Sequence, residues 1–192
     1  LQPVTDYSKY KVECENIVKK YVSENFTPII IRPATVCGYS PRQRLDVIVN
    51  ILTNFAYNKR KINVFGGEQL RPNIHIKDMV NAYELLIKSP KNKISGEIFN
   101  AGFENKTVLE LAETVKKIIG RDVELKLTPT NDNRSYHISS KKIKKILGFE
   151  TNFTIADAVL DLKKAFEKNL LPNSFDDEKY FNIKRMQSIK LN

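Results

Sequence analysis

Apolar residues at helical and at strand spacing alternate along the chain and predict an α/β fold. The first helix is predicted over about residues 6–24, capped by Thr5 or Asp6, with an apolar stripe formed by Val12, Ile17, Val18, Tyr21 and Val22. The segment TPIIIRPATVCG follows, and its three consecutive isoleucines suit a parallel strand covered on both faces. Such alternation is typical of α/β proteins built on a parallel sheet.

The remaining pattern continues the alternation. The predicted order is a helix near 43–57, strands INVFGG and NIHI, a helix over 78–88, strand GEIFNAG, a helix from Thr107 to Gly120, strand VELKL, and helices near 139–147 and 154–169. Thr107 and Glu110 have capping-box spacing. From Leu170 onward the mixture of Pro, Asn and charge predicts a loosely ordered tail.

Two absences predict that this chain is the C-terminal piece of a longer protein. Almost nothing precedes the first helix, so the covered strand lacks neighbours, and the chain starts at Leu1. No glycine-rich phosphate loop of the G-x-G-x-x-G kind occurs. A mature or engineered start of a complete small domain is the alternative.

Composition and charge restrict the class without selecting a function. With 41% hydrophobic and 28% charged residues in 192, a soluble globular chain is expected, and no apolar run approaches the ~18 residues of a membrane span. Cys14 and Cys37 have neither metal-site nor disulfide spacing, which predicts packing roles, no metal and a reducing, cytoplasmic setting. The net charge of +10 favours an anionic partner, although solvated lysine-rich helix faces explain it equally well.

Tyr7 and Lys11 are four residues apart near the start of the first helix. This spacing puts them on one helix face, where a cation favours the tyrosinate and thus a catalytic base. The spacing alone is weak, because Tyr57 with Lys61 and Tyr180 with Lys184 share it. Tyr7 is distinguished by a helix that leads directly into the buried strand.

Several blocks in order resemble one family. YSKYKVECE, PIIIRPATVCGYSPRQRLDVIVN, VFGGEQLRPNIHIKDMVNAY, EIFNAG and NRSYHISSKKIKKILGFE together are similar to the extended short-chain dehydrogenase/reductases, in particular the nucleotide-sugar epimerases and dehydratases such as UDP-glucose 4-epimerase. The resemblance implies the C-terminal part of a Rossmann-type, doubly wound parallel sheet with a small α/β substrate-binding domain, the N-terminal cofactor-binding half being absent. It divides the chain into 1–38 (end of the Rossmann domain), 39–169 (mostly substrate-binding, with Rossmann elements near 73–100) and a tail, 170–192.

The resemblance also implies a chemistry. Tyr7 and Lys11 match the family's active-site pair, in which tyrosinate removes the proton of the sugar 4-hydroxyl while NAD accepts the C4 hydride, and Lys11 holds the nicotinamide ribose. Pro33, Ala34 and Thr35 match the segment along the nicotinamide. An epimerase returns the hydride to the other face, whereas a 4,6-dehydratase first eliminates water. NAD would be held mainly by residues upstream of Leu1, so the piece alone is expected to be inactive.

Four residues are implied in binding a nucleotide-diphosphate sugar. Arg71 and Arg134 match the diphosphate-binding arginines, whose guanidinium forks suit that anion. Arg44 and Asn50 fall loosely in the segment that closes over the sugar. A surface role is the alternative for all four, and a proline-ended core loop is the alternative for 33–35.

The other polar residues have structural interpretations. His75 is implied to bond within the turn that leads to Asp78, and Asp78 is predicted to cap the following helix. Asn100 and Gly102 suggest a turn, and His137 has no predicted partner.

The resemblance implies a homodimer of the intact protein, with neither nucleic acid nor membrane as a partner. Two other classes stay open: a basic nucleic-acid-binding module, and a noncatalytic relative with an unused pocket. Binding of RNA in place of any nucleotide sugar would favour the first.

Overall fold

The structure is a computed structural model that describes residues 6–132 and 134–190. The helices are α1 (Asp6–Lys20), α2 (Ile48–Lys59), α3 (Ile76–Lys88), α4 (Lys91–Ile94), α5 (Val108–Ile119), α6 (Lys141–Leu147), α7 (Ile155–Glu167) and α8 (Asn182–Ser188), with a 3₁₀ turn at Glu178–Tyr180. The strands are β1 (Ile30–Pro33), β2 (Thr35–Cys37), β3 (Lys61–Phe65), β4 (Leu70–His75), β5 (Ile98–Ala101), β6 (Glu104–Thr107) and β7 (Glu124–Thr128). The alternation confirms the predicted α/β class.

The strands form three small, mostly parallel sheets. β1 pairs with β5 in parallel, and β3 pairs with β7 in parallel. β4 lies between β2, which is parallel to it, and β6, which is antiparallel. The one-residue break between β1 and β2 lets the chain pass from the first sheet to the second at Ala34, whose N–H donates to the Ala101 carbonyl over 2.7 Å.

Two main hydrophobic clusters fill the space between these sheets and the helices. The first joins α2, α5 and α7 to β3, with Val49, Ile62, Val64, Leu111 and Val159 fully buried. The second joins β1 and β5 to α3 and α6 around Phe99, Ile74 and Ile143. Because Cys37 belongs to the first cluster and Ala34 to the second, the β1–β2 passage connects both. The predicted boundaries at 38 and 169 stay a prediction.

The first helix and strand are less covered than expected. α1 has no buried residue; its Tyr10 and Ile17 are exposed, and so is Tyr21 directly after the helix. Ile30 and Ile31 are only half-buried, because β1 pairs with β5 on one edge and with no other strand in the described ranges. The helix also ends at Lys20 rather than near residue 24.

Local signals located some helix boundaries and missed others. The Thr107–Glu110 capping box is confirmed: the Thr107 hydroxyl accepts the Glu110 N–H, and the Glu110 carboxylate accepts the Thr107 N–H. The capping role for Asp78 is wrong. His75 caps α3, and Asp78 is buried in the first turn, where its oxygens accept the N–H groups of Asn152 and Phe153 at 3.0 Å each. The helix predicted to start near 43 begins at Ile48.

The C-terminal segment is packed, so the loosely ordered tail predicted from Leu170 is wrong. Leu171, Ser174 and Tyr180 are buried, and a third cluster unites Leu171 and Tyr180 with Leu45 and Leu162. The Ser174 hydroxyl donates to the Asn54 side-chain oxygen of α2 over 2.7 Å. Single apolar residues, Leu171 and Tyr180, hold this segment against the core. They are separated by polar residues, so the average composition of the segment does not indicate that it is packed.

The cysteines divide between surface and core. Cys37 is buried, as predicted, and burial raises the pKa of its thiol to about 12. Cys14 is exposed, so its predicted packing role is wrong for this structure. Residues 6–132 and 134–190 contain no grouping of three His, Cys, Asp or Glu side chains suited to a metal ion. No helix within the same ranges has the length and apolar character of a membrane span.

Candidate active site

Tyr7 and Lys11 lie together on the first turns of α1. The Lys11 ammonium nitrogen is 5.6 Å from the centroid of the Tyr7 ring, within the range of a cation–π contact. Tyr7 is 73% exposed, so its hydroxyl is accessible to a ligand. The helix therefore brings the predicted pair into contact.

The other two pairs at the same spacing have different partners. Tyr57 stacks on Phe166 at 5.1 Å between ring centroids, and Lys61 forms an ion pair with Glu124 at 3.0 Å. Tyr180 is buried, and the Lys184 ammonium lies 4.4 Å from the Phe181 ring. Their side chains are used in packing and surface pairing, which separates Tyr7 and Lys11 from both.

Glu15 and Arg32 tie α1 to the end of β1. Arg32 donates from Nε to Glu15 Oε1 over 2.8 Å and from Nη2 to the second carboxylate oxygen. Hydrogen bonding to Arg32 lowers the pKa of Glu15, so the pair stays ionised. Glu15 is four residues after Lys11 and therefore lies on the same face of α1, so this contact ties the Tyr7–Lys11 helix to β1 one turn further along.

The segment 33–35 is narrow and closely packed. Pro33 is exposed, Ala34 is buried, and Thr35 is half-buried at the start of β2. A side chain at Gly102 would come within 3.0 Å of the Ala34 Cβ and 2.6 Å of Ile138, so only glycine fits there. The structure thus fixes this passage at the carboxyl end of β1, where parallel sheets commonly bind ligands.

Arg71 and Arg134 converge on one carboxylate, that of Asp132. Arg134 donates from Nε at 2.7 Å and from Nη2 at 2.8 Å, and Arg71 donates from Nη2 at 3.1 Å. Arg71 also donates to the Arg134 carbonyl and lies over the Tyr136 ring, with 6.0 Å between its guanidinium carbon and the ring centroid. The two arginines that sequence analysis paired are therefore adjacent.

These arginines stand at one end of a cavity of about 450 Å³. Its other walls are mostly apolar and come from α2 and β3, with Ile48, Ile51, Leu52, Phe55, Ile62 and Phe65. Gln69 and Thr130 complete the polar end. An apolar slot with a cationic end suits a flat ring joined to an anion.

The loop before α2 holds the other two predicted residues. Arg44 is exposed and pairs with Asp46 at 2.9 Å, and Asp46 lines the cavity. Asn50 is buried: its side-chain oxygen accepts the Gly38 N–H at 3.1 Å, and its amide donates to the Arg44 carbonyl at 2.8 Å. Asn50 thus braces the loop, and neither it nor Arg44 is among the cavity-lining residues.

His75 bonds within its turn, as the resemblance implied. Its Nδ1 accepts the Lys77 N–H at 3.1 Å, and its ring stacks on Phe153 at 4.9 Å. His137 is exposed. Asn100 lies in β5 rather than in a turn, and its side-chain amide is 3.5 Å from the Ser139 carbonyl.

The structure brings the predicted residues together in two pairs: Tyr7 with Lys11 on α1, and Arg71 with Arg134 at the cavity. Among the described residues, the cavity lining includes no member of the first pair. Sequence analysis missed Glu15, Arg32, Asp132 and the aromatic walls. Asp132 could have been found, because an acid two residues before an arginine is close enough to pair with it.

Comparison with known proteins identifies the family. The family model of the NAD-dependent epimerases and dehydratases matches residues 1–102. UDP-glucose 4-epimerase from Lactobacillus helveticus is 23% identical over 197 residues, which cover 93% of this chain and 59% of that protein.

Solved structures of similar fold agree. UDP-glucose 4-epimerase from Thermotoga maritima, solved with UDP-glucose, has a TM-score of 0.76 and 26% identity, covering 88% of this chain and 55% of that one. dTDP-glucose 4,6-dehydratase from Bacillus anthracis, solved with NAD, has a TM-score of 0.74 and 22% identity, covering 88% and 54%. The chain spans a little over half the length of these relatives. It belongs to the NAD-dependent epimerase/dehydratase family.

Proposed function

We propose that this protein is an NAD-dependent nucleotide-sugar epimerase that oxidises the sugar C4 hydroxyl and reduces the resulting ketone from its other face. One observation carries the proposal: Arg71 and Arg134 converge on Asp132 in the lining of a cavity whose other walls are mostly apolar. That arrangement suits a nucleoside diphosphate, because the base needs an apolar slot and the diphosphate needs paired N–H donors.

The residues of α1 fit the nicotinamide end of NAD. Lys11 offers a cation and Tyr7 a phenol on one exposed helix face. Residues 34 and 35, which follow the carboxyl end of β1, have small side chains. We assign ribose binding to Lys11 and contact with the nicotinamide side to Pro33, Ala34 and Thr35. When bound, NAD would supply the acceptor for the C4 hydride and return that hydride later.

Tyr7 is the base in this scheme. The deprotonated phenol takes the proton of the 4-hydroxyl as the C–O bond becomes a carbonyl, and returns the proton when the ketone is reduced. Lys11 stabilises the phenolate by its charge. Arg71 and Arg134 hold the diphosphate, so that the sugar is the part free to turn over.

The 4,6-dehydratase reaction is the second candidate, because an enzyme of that name has nearly the same TM-score as the epimerase. Both reactions begin with the same oxidation at C4. They differ in product: an epimerase returns an isomer, whereas a dehydratase releases water and leaves a 4-keto-6-deoxy sugar. Analysis of the products by mass separates them by 18 units, the mass of one water.

A homodimer is proposed through α1. Tyr10, Cys14, Ile17 and Tyr21 recur at helical spacing and are all exposed, which leaves an apolar stripe beside the Tyr7–Lys11 face. A second copy would cover it. Mass measurement by light scattering, with Ile17→Glu as the disrupting variant, tests this.

The decisive experiment is a thermal-shift comparison between UDP-glucose, GDP- and dTDP-sugars, and single-stranded RNA. Binding to the folded state raises the midpoint, so the proposal expects stabilisation by a nucleotide sugar. Stabilisation by RNA alone, weakening steeply with salt, would identify a nucleic-acid-binding protein and refute the enzyme. Binding of a nucleotide sugar without turnover by the intact protein supplied with NAD would favour the noncatalytic relative.

A further inference from the structure

The carboxylate of Asp132 is the centre of the cationic end of the cavity. It accepts Arg134 Nε and the Arg134 backbone N–H on Oδ1, at 2.7 and 3.1 Å. On Oδ2 it accepts Arg134 Nη2 and Arg71 Nη2, at 2.8 and 3.1 Å. One carboxylate thus fixes the planes of two guanidinium groups that come from separate parts of the chain.

Asp132 is itself held by its backbone. Its N–H donates to the Thr130 hydroxyl at 3.2 Å, and its carbonyl accepts from the Gln69 side-chain amide at 3.1 Å. The Gln69 side-chain oxygen in turn accepts the Gly67 N–H at 2.8 Å. The carboxylate is therefore attached to the turn between β3 and β4, and its position does not depend on the two arginines alone.

The arginines keep donors for a ligand while they contact Asp132. A guanidinium has five N–H donors. Within the described residues, Arg71 uses Nη1 toward two carbonyls and Nη2 toward Asp132, and Arg134 uses Nε and Nη2. Nε of Arg71 and Nη1 of Arg134 are outside these contacts. A diphosphate can therefore bind without displacing the carboxylate.

The charge balance also permits joint binding. Two guanidinium groups and the Asp132 carboxylate leave a net positive charge, and the other carboxylate of the cavity lining, Asp46, is already paired with Arg44 at 2.9 Å. The positive charge therefore still attracts a diphosphate. The orientation of the two guanidinium groups affects affinity, because arginine side chains lose conformational freedom when a ligand fixes them. A site in which they are already ordered avoids that loss on binding. Arg71 is mostly shielded, whereas the Arg134 side chain is 62% exposed and has the most freedom to lose.

We propose that Asp132 is a positioning residue for substrate binding: its carboxylate holds Arg71 and Arg134 in the orientation that receives the nucleotide diphosphate. This inference rests on the proposed function. Asp132 acts through the arginines and does not itself contact the phosphates.

The test is a double-mutant cycle with UDP as the probe, measured by calorimetry. Asp132→Asn is expected to weaken UDP binding about tenfold, which corresponds to about 1.4 kcal/mol. In an Arg134→Ala background the same change should alter affinity less than twofold, because the side chain through which Asp132 acts is gone. Asp122→Asn, which breaks the exposed Asp122–Arg60 pair, is the matched control and should leave affinity unchanged.

Two binding results would overturn the inference. Tighter UDP binding by Asp132→Asn would mean that the carboxylate competes with the phosphates. An equal loss in both backgrounds would mean that Asp132 acts independently of Arg134.

A ligand-free measurement separates this inference from the proposed function. In the wild type, NMR should show a slowly exchanging Arg134 Nε–H signal, and Asp132→Asn should broaden or remove it. An unchanged signal would overturn the positioning role even if UDP binds. Failure of the wild type to bind UDP, GDP or dTDP would instead refute the proposed function, while the NMR comparison still decides whether Asp132 orders the arginines.

Discussion

Arg32 holds Glu15 through both of its carboxylate oxygens, and this contact joins the helix of Tyr7 to the strand that leads into residues 33–35. The side chains are 30% and 16% exposed, so solvent screens the pair only in part. Since α1 has no buried residue, this ion pair is a principal tie between the helix and the rest of the protein.

Glu15→Gln should loosen α1. Glutamine keeps the shape but loses the charge, so we expect the free energy of unfolding to fall by about 1–2 kcal/mol, measured by urea denaturation at pH 7. The pKa of Glu15 is lowered in the folded state, so its contribution is complete above the unfolded value of about 4.3 and disappears as the pH falls through the folded value. The difference between wild type and variant should therefore shrink at acidic pH. Glu13→Gln on the exposed face is the control, and equal effects of the two would contradict the anchoring role.

Tyr7→Phe in the intact protein should remove turnover and preserve binding. Phenylalanine keeps the ring beneath Lys11 but has no hydroxyl to accept the substrate proton, so kcat should fall by about 10²- to 10⁴-fold. Binding of UDP-glucose, followed by calorimetry, should stay within twofold. Tyr10→Phe removes a hydroxyl one turn away and should leave kcat nearly unchanged. Full activity in Tyr7→Phe would exclude Tyr7 as the base.

Arg71→Ala and Arg134→Ala should each weaken binding of UDP. Truncating one member of a charged contact that the bound ligand buries costs about 2–5 kcal/mol. The larger loss is expected for Arg71, whose side chain is 14% exposed, than for Arg134, whose side chain is 62% exposed. Arg121→Ala, an exposed arginine outside the cavity lining, provides the control. Losses below tenfold for both cavity variants would assign these arginines to the protein surface.

His75 should make stability fall at mildly acidic pH. Burial lowers its pKa in the folded state, opposed by Asp161, whose carboxylate is 3.5 Å from Nε2, and by Asp78 and Asp157, and reinforced by Lys77. Since the unfolded value is about 6.5, stability is complete above that pH and decreases as the pH falls toward the folded value.

The measurement compares melting midpoints at pH 7.5 and 5.5. His75→Asn retains a side-chain oxygen for the Lys77 N–H but cannot titrate, so its midpoint should be lower overall and change less between the two pH values. His137→Asn, at the exposed second histidine, should behave like the wild type. If the melting midpoint of His75→Asn changes between the two pH values as much as that of the wild type, His75 is not the source of the pH dependence.

Sequence reasoning succeeded where a signal is local. The Thr107 capping box, the alternating β3 strand and the Tyr7–Lys11 spacing each depend on residues within a few positions, so the sequence alone predicts them. The family blocks extended this to the pairing of Arg71 with Arg134, which no propensity predicts.

It failed where a side chain is satisfied by a distant partner. Asp78 accepts N–H groups 74 and 75 residues away, and this contact outcompetes the local cap expected from its position. Asp132 meets Arg71 across 61 residues, a juxtaposition fixed by the sheet and the loop after β7. The packed C-terminal segment likewise depends on Leu45 and α2, which supply its apolar partners.

The loop before α2 is completed only by residues made much later. The Leu45 N–H donates to the Tyr180 carbonyl at 2.9 Å, and Asp46, which lines the cavity, accepts the Asn182 N–H from 136 positions away. Ribosomes add about 5–20 residues per second, so on the order of ten seconds separate the synthesis of this loop from that of its brace. During that interval the loop that carries Asp46 lacks its C-terminal hydrogen-bond partners, so we expect the apolar cavity walls to be exposed in the nascent chain.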